Sequence, residues 1–132
     1  MYAEEEHLVR SFIRKDRRER LLFELTKPAK RYDGVSRFCH QADDFIDKSK
    51  IRMSGPDLNH RPEFLQFVRL HEEPCYLLSP DYSLDGCRLS LSEAVEHASM
   101  NADAVVILGK SFLIVFTEDI KGGREKYLLC EE

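Results

Sequence analysis

The sequence of 132 residues contains no apolar run long enough to cross a membrane as a helix. Its longest apolar stretch, residues 102–116, is interrupted by Asp103, Lys110 and Ser111, whereas a spanning helix needs about 20 mostly apolar residues. The first ten residues include three glutamates and lack the apolar region of a secretion signal. We therefore expect no membrane partner and a cytoplasmic location.

Closely spaced cysteine pairs are also missing. The four cysteines, Cys39, Cys75, Cys87 and Cys130, are scattered, and none forms a CxxC motif. In a chain large enough to bury a core without cross-links, free buried thiols are expected rather than disulfides. The sequence has no internal repeat, and its 42% apolar and 33% charged residues are typical of a globular protein. We expect a single globular domain over residues 1–132.

No motif for nucleophilic catalysis or nucleotide binding is present, neither a G-x-S-x-G elbow nor Walker or Rossmann glycine spacing. The glycines of "KGGR", residues 121–124, are not followed by a helix pattern, so this segment is expected to be a loop. Three aspartates flank an apolar helical stripe and are expected on its solvated edge: Asp43, Asp44 and Asp47. We therefore expect no catalytic residues and no cofactor.

The N-terminal third predicts helices. Residues 3–26 contain no proline or glycine, and glutamates precede the basic residues as the helix dipole favours. Helical apolar spacing fails over residues 14–20, "RKDRRER", so we predict either one long helix or two helices joined near Lys15, with the middle in solvent. After Pro28, apolar residues recur every three to four positions as far as Ile46, which predicts a second helical segment.

The remaining segments predict an α+β fold. A loop over residues 54–62 precedes a short helix around Phe64, and a capping box of Ser90 and Glu93 begins another helix. Apolar β-type segments then dominate, with a further strand at "CYLLS". We predict N-terminal helices packed on a C-terminal, mainly antiparallel sheet, formed by hairpin 104–117 and strand 126–130.

Two details of the sheet are predicted. Glycine in "LGKS" suits a two-residue type II′ turn with Gly109 and Lys110 at its centre. Where the second helical segment covers the sheet, five apolar side chains are expected to be buried: Phe38, Phe45, Val106, Ile114 and Phe116.

His71 and Cys75 stand four residues apart and raise the question of a metal site. Zinc sites usually draw four ligands from two close pairs, whereas the adjacent Cys39 and His40 diverge by about 100° on a helix. His71 is explained by a helix end and Cys75 by a buried strand. We expect no metal site and no stoichiometric zinc, although the sequence leaves functional roles for Cys39, His40, His71 and Cys75 open.

The charge distribution is uneven. Residues 10–31 carry net +6 within a chain of net −4, so the remainder carries −10. Such asymmetry is typical of a surface for an anionic partner. The candidate contact residues for a protein partner or for phosphates are Arg10, Arg14, Arg17, Arg18, Lys30 and Arg31.

Three functions remain in consideration. We expect a non-catalytic protein-binding module, with self-association included among its contacts. The alternative is an accessory protein that contacts nucleic acid through the basic helix 10–31, which the sequence pI of about 5.8 and the lack of a base-reading motif disfavour. The third is an enzyme whose site is unrecognised.

Overall fold

The computed structural model describes residues 2–119 and 124–131, which contain six α-helices and six β-strands. The helices are α1 (Ala3–Phe12), α2 (Lys15–Thr26), α3 (Pro28–His40), α4 (Ala42–Phe45), α5 (Pro62–Leu70) and α6 (Leu91–Met100). The strands are β1 (Ile51–Ser54), β2 (Pro74–Leu78), β3 (Arg88–Ser90), β4 (Val105–Leu108), β5 (Phe112–Phe116) and β6 (Lys126–Cys130). Helices lie mainly in the first half and strands in the second, which confirms the α+β class.

The N-terminal region consists of two helices, which decides between the two alternatives that the sequence left open. Ile13 leaves helical geometry and forms an antiparallel bridge with Ile46. Two backbone hydrogen bonds flank this bridge, from the Arg14 N–H to the Phe45 carbonyl (2.8 Å) and from the Asp47 N–H to the Phe12 carbonyl (2.7 Å). The chain breaks here because this pairing buries both isoleucines and satisfies backbone groups that the helix ends would leave unpaired.

The apolar stripe after Pro28 is divided between α3 and α4, and its members from Val35 to Ile46 are buried, whereas Tyr32 at its start is exposed. Phe38, Phe45 and Ile46 are all buried. Gly34 interrupts the stripe for a reason that the sequence did not reveal. A Cβ at this position would lie 2.9 Å from the Cβ of Glu24, so glycine permits α2 and α3 to approach closely.

The six strands form one sheet in the order β1-β6-β5-β4-β2-β3, and every neighbouring pair is antiparallel. The strands predicted in hairpin 104–117, at 126–130 and at "CYLLS" are present within one residue of their expected bounds. Strand β1 was not predicted. It has four residues at a sheet edge, and Arg52 and Ser54 face solvent, so its sequence has no distinct β pattern.

The predicted type II′ turn at Gly109 and Lys110 is wrong. The Gly109 N–H donates to the Phe112 carbonyl at 3.0 Å, so Lys110 and Ser111 are the two central residues. Among the described residues, only Gly55 and Gly86 have positive φ. Glycine is needed at position 109 for a different reason, because an added Cβ would lie 2.2 Å from Cζ of Phe112.

Helices cover both faces of the sheet, and two apolar cores result. Helices α1 to α4 pack with Val106 and Val115 on one face, whereas α5 and α6 pack with Ile114 and Phe116 on the other. All five residues predicted to be buried are buried. The prediction that one helical segment covers them all is wrong, because side chains alternate between faces and Val106 pairs with Val115 rather than with Ile114.

The C-terminal helices follow their predicted signals. Helix α5 contains Phe64, and α6 begins after Ser90, whose Oγ accepts from the Glu93 N–H (3.4 Å) and donates to its Oε1 (2.8 Å). Of the loop predicted at 121–124, residues 121–123 lie outside the described part of the chain. No helix in residues 2–119 or 124–131 has the length and apolar character needed to cross a membrane.

Candidate protein-contact surface

The six basic residues singled out in the sequence do not lie in equivalent environments. Arg14 and Arg17 are exposed where α1 meets α2, and Lys30 is exposed at the start of α3. Arg10 pairs with Glu6 one turn earlier on α1, at 2.9 Å. Arg18 and Arg31 are half-buried and bind groups within the protein.

The start of α2 positions three arginines around the Ile13–Ile46 bridge. Arg14 pairs with Asp16 at 3.0 Å, and the Arg17 guanidinium lies 5.3 Å from the centre of the Phe45 ring. Arg18 donates from Nε to the Ile13 carbonyl at 2.8 Å. Arg14 and Arg17 remain exposed to solvent despite these contacts. Arg18 stabilises the junction between the helices.

The outer surface of α2 and α3 combines these cations with exposed aromatic rings. Phe23 is 50% exposed, and the Lys27 ammonium lies 5.7 Å from its ring centre. Tyr32 on α3 is 47% exposed and stacks on Tyr82 with ring centres 5.3 Å apart. We define the basic face by the exposed cations from the start of α2 to the start of α3, together with Phe23: Arg14, Lys15, Arg17, Arg20, Lys27 and Lys30.

Arg31 belongs to a charged network inside the fold rather than to the basic face. Its Nη2 lies 2.8 Å from Oε2 of Glu5 and 3.1 Å from Oδ2 of Asp85. The Tyr76 hydroxyl donates to the same Glu5 oxygen at 2.6 Å. Glu5 is only 1% exposed, so one guanidinium offsets the charge of a buried carboxylate and links α1, α3 and the loop before β3.

Burial changes the acid–base properties of this network. It raises the pKa of the Asp85 carboxyl, and the opposing effect of Arg31 is smaller. Burial also raises the pKa of Tyr76, and the hydrogen bond to Glu5 acts in the same direction. The tyrosine therefore stays protonated and serves as a hydrogen-bond donor to the carboxylate.

His71 and Cys75 have separate structural roles, as the sequence predicted. His71 ends α5, where its Nδ1 lies 2.9 Å from the Phe67 carbonyl, and its ring stacks on Phe67 at 3.9 Å. The Cys75 thiol is buried at the start of β2, and burial raises its pKa to about 12. Cys39 lies in the core on the opposite face of the sheet, so the two thiols cannot share a ligand.

A cleft of about 350 Å³ lies between α1, β2 and the β4–β5 turn. Glu4 and Arg88 pair at 2.7 Å, and His7 contacts Glu131 at 2.9 Å. Cys75 also lines the cleft, but its raised pKa makes its thiol a poor nucleophile at neutral pH. These groups bind one another and do not form a nucleophile oriented by a base, so the cleft gives no support to the enzyme hypothesis.

A cluster beside a second cleft, which His40 and Glu118 line, brings together residues that the sequence did not connect. His40, Asp103 and Glu118 come from three separate elements and place their side-chain donor atoms within 4.8 Å of one another. In the sequence, His40 drew attention only beside Cys39, and neither Asp103 nor Glu118 was a candidate ligand. Separations of 63 and 78 residues along the chain leave no motif that could have found this cluster.

Comparisons of the chain with protein-family models, with curated proteins and with solved structures found no match.

Proposed function

We propose that this protein is a non-catalytic binding module and that its basic face binds an acidic segment of a protein partner. The observation that supports this most directly is Phe23, half-exposed between Arg20 of α2 and Lys27 just beyond the end of that helix. Arg20 lies three residues before Phe23 on α2, and the Lys27 ammonium, just beyond the helix end, lies 5.7 Å from the Phe23 ring centre. A partner that combines carboxylates with an apolar side chain would complement both features.

A protein partner fits this face better than nucleic acid does. Residues 10–31 carry net +6, but the rest of the chain carries −10 and would repel an extended polyanion. Arg18 and Arg31 are bound within the fold, which removes two of the six cations considered for phosphate contact. The sequence also contains no base-reading motif. A compact acidic segment needs only the few cations around Phe23.

As part of the same proposal, we place the protein in the cytoplasm. The support is that Cys39, Cys75, Cys87 and Cys130 are all free thiols, which are typical of reducing compartments.

Fluorescence anisotropy with three labelled probes tests the proposal. The probes are a glutamate-rich peptide with a central Phe-Leu pair, the same peptide with glutamine in place of glutamate, and a 20-base-pair duplex DNA. We expect saturable binding of the acidic peptide only. The triple variant Arg17→Glu/Arg20→Glu/Lys27→Glu should weaken this binding by more than tenfold.

A matched control reverses three cations elsewhere: Lys48→Glu/Arg69→Glu/Lys110→Glu. It changes the net charge by the same amount, and it should leave peptide binding within twofold of the wild type. Equal loss in both triple variants, or failure of the acidic peptide to bind, would contradict the proposal. Binding of the duplex instead, with a log–log salt slope of roughly −3 for three phosphate contacts and loss only in the first variant, would establish the nucleic-acid alternative.

A further inference from the structure

The cluster of His40, Asp103 and Glu118 has the composition of a metal-binding site. His40 is the last residue of α3, Asp103 precedes β4, and Glu118 follows β5. Nε2 of His40 lies 3.2 Å from Oδ1 of Asp103 and 3.9 Å from Oε2 of Glu118. An imidazole nitrogen and two carboxylate oxygens are ligands that divalent transition metals accept together.

The spacing of the His40 and Asp103 donors agrees with two ligands of one ion, and all three donor atoms lie within 4.8 Å of one another. Two donors bonded to zinc at 2.0–2.2 Å are separated by about 3.4 Å in tetrahedral geometry and by about 3.0 Å for neighbouring octahedral positions. The contact of 3.2 Å between His40 and Asp103 falls within this range. Glu118 is about half-exposed, so its carboxylate can rotate inward by the few tenths of an ångström that its longer contact requires.

Hydrogen bonds outside the cluster orient two of the three ligands. Nδ1 of His40 lies 3.2 Å from Oγ of Ser36, one helical turn earlier. Without a metal, Nε2 donates to the Asp103 carboxylate and Nδ1 can accept from the Ser36 hydroxyl. With a metal bound, the same hydroxyl can accept from Nδ1–H and leave the Nε2 lone pair for the ion. The Asp103 carboxylate accepts from the Ala104 N–H at 2.9 Å, which limits its rotation.

The cleft beside the cluster, which His40 and Glu118 line, favours a cation. It has a volume of about 190 Å³, and Asp43 and Glu125 add two more carboxylates to its walls. No lysine or arginine of the described residues lines it. The nearby Arg124 guanidinium is bound to backbone carbonyls, among them those of Thr117 (2.5 Å) and Asp103 (2.7 Å). The carboxylates of the cleft therefore outnumber the cations beside it.

We propose that His40, Asp103 and Glu118 bind one divalent transition-metal ion of the zinc class, with water at the remaining coordination positions. The single imidazole favours Zn²⁺ over Mg²⁺ and Ca²⁺, which prefer sites made of oxygen alone. The proposal departs from the sequence-based expectation of no metal site. Three partly exposed ligands give reversible binding, so the expectation that the purified protein retains no stoichiometric zinc still applies. The proposal does not depend on the partner of the basic face.

Calorimetric titration of the untagged, chelator-treated protein with ZnCl₂ tests the site, together with the visible absorption of added Co²⁺. We expect one saturable zinc ion per chain and a Co²⁺ spectrum that zinc abolishes. Glu118→Gln and His40→Gln should each weaken zinc binding by more than tenfold, and Ser36→Ala by roughly tenfold, as loss of an outer hydrogen bond to a metal-bound histidine does.

Two control variants separate this site from other zinc ligands. Glu19→Gln removes an exposed carboxylate elsewhere, and Cys87→Ser removes the one described thiol that is not buried. Both should bind zinc as the wild type does. Absence of saturable zinc binding by the wild type, or zinc affinity unchanged in Glu118→Gln, would overturn the proposal. A melting temperature of the metal-free Glu118→Gln protein equal to that of the wild type excludes misfolding as the cause of any loss.

Discussion

At the residue scale, the surroundings of a side chain decide its role more than its type does. His71 and His40 both lie at the C-terminal end of a helix. His71 is stacked on Phe67 and held by a backbone carbonyl, whereas Nε2 of His40 lies near two carboxylates. The sequence predicted that His71 ends a helix, because this depends on local neighbours. It could not predict the surroundings of His40, because Asp103 and Glu118 reach His40 only through the packing of α3 against the sheet.

Phe38 provides a direct test of the core beneath α3. It is 1% exposed, and its ring lies 5.7 Å from that of Phe45. Phe38→Ala should lower the free energy of unfolding by about 3–5 kcal/mol, because it removes buried apolar surface and leaves a cavity. Urea denaturation measures the change. A loss below about 1 kcal/mol would show that α3 does not pack as described.

Arg31 tests the buried charged network. Arg31→Met should lower the free energy of unfolding by about 3–5 kcal/mol, because Glu5 would remain buried without its cation. Lys30→Met, at the exposed neighbouring position, is the matched control and should change it by no more than about 0.5 kcal/mol. Equal effects of the two substitutions in urea denaturation would rule out a special role for the network.

The stability of the Arg31→Met variant should also depend on pH in a defined direction. Burial raises the pKa of Asp85 in the folded protein, and Arg31 opposes this rise, so the pKa should be higher still without Arg31. A carboxyl with a raised folded-state pKa binds its proton more tightly when folded, and stability therefore falls as pH rises above the ordinary aspartate value. The stability deficit of Arg31→Met relative to the wild type should be smaller at pH 5 than at pH 7. A deficit that grows on acidification would contradict this assignment.

At the scale of elements, the sequence predicted best where local patterns and burial agree. Strand β5 is apolar throughout because helices cover both faces of the sheet. Its sequence is therefore an unbroken run of apolar, strand-forming residues. Helix α6 begins at Ser90 because its capping box is a local signal. The edge strand β1 was missed, since alternating burial over four residues with two polar side chains resembles a loop.

The turn between β4 and β5 lies one residue later than predicted, and its neighbouring glycine has a different role from the expected one. Glycine at position 109 accommodates the buried Phe112 ring rather than a positive φ. Gly109→Ala should therefore destabilise the protein by about 1–3 kcal/mol through overpacking. In a double-mutant cycle with Phe112→Leu, the alanine should cost less, because the shorter side chain leaves room for its Cβ. An alanine penalty that is the same in the Phe112→Leu background as in the wild type would implicate the backbone instead.

At the scale of the whole molecule, two cores share one sheet. The sequence predicted the helices and most of the strands, but it did not show that α5 and α6 cover the opposite face from α1 to α4. Local periodicity identifies which residues are apolar, whereas strand order and register decide which face each one joins. The candidate contact residues follow the same rule. Charge counting located the basic region, but only the packing shows that Arg31 binds Glu5 and Asp85.

The sharing of one sheet predicts a single cooperative unfolding transition for residues 1–132. Phe38 lies in the core beneath α3, and Phe64, which is fully buried, lies in the core on the other face. Phe38→Ala and Phe64→Ala should each shift the whole urea transition, followed both by far-ultraviolet circular dichroism and by tyrosine fluorescence. Their effects should add to within about 0.5 kcal/mol in the double variant, because the sheet separates the two sites. Two separate transitions, with each substitution shifting only one, would show that the faces unfold independently and that the chain is not one domain.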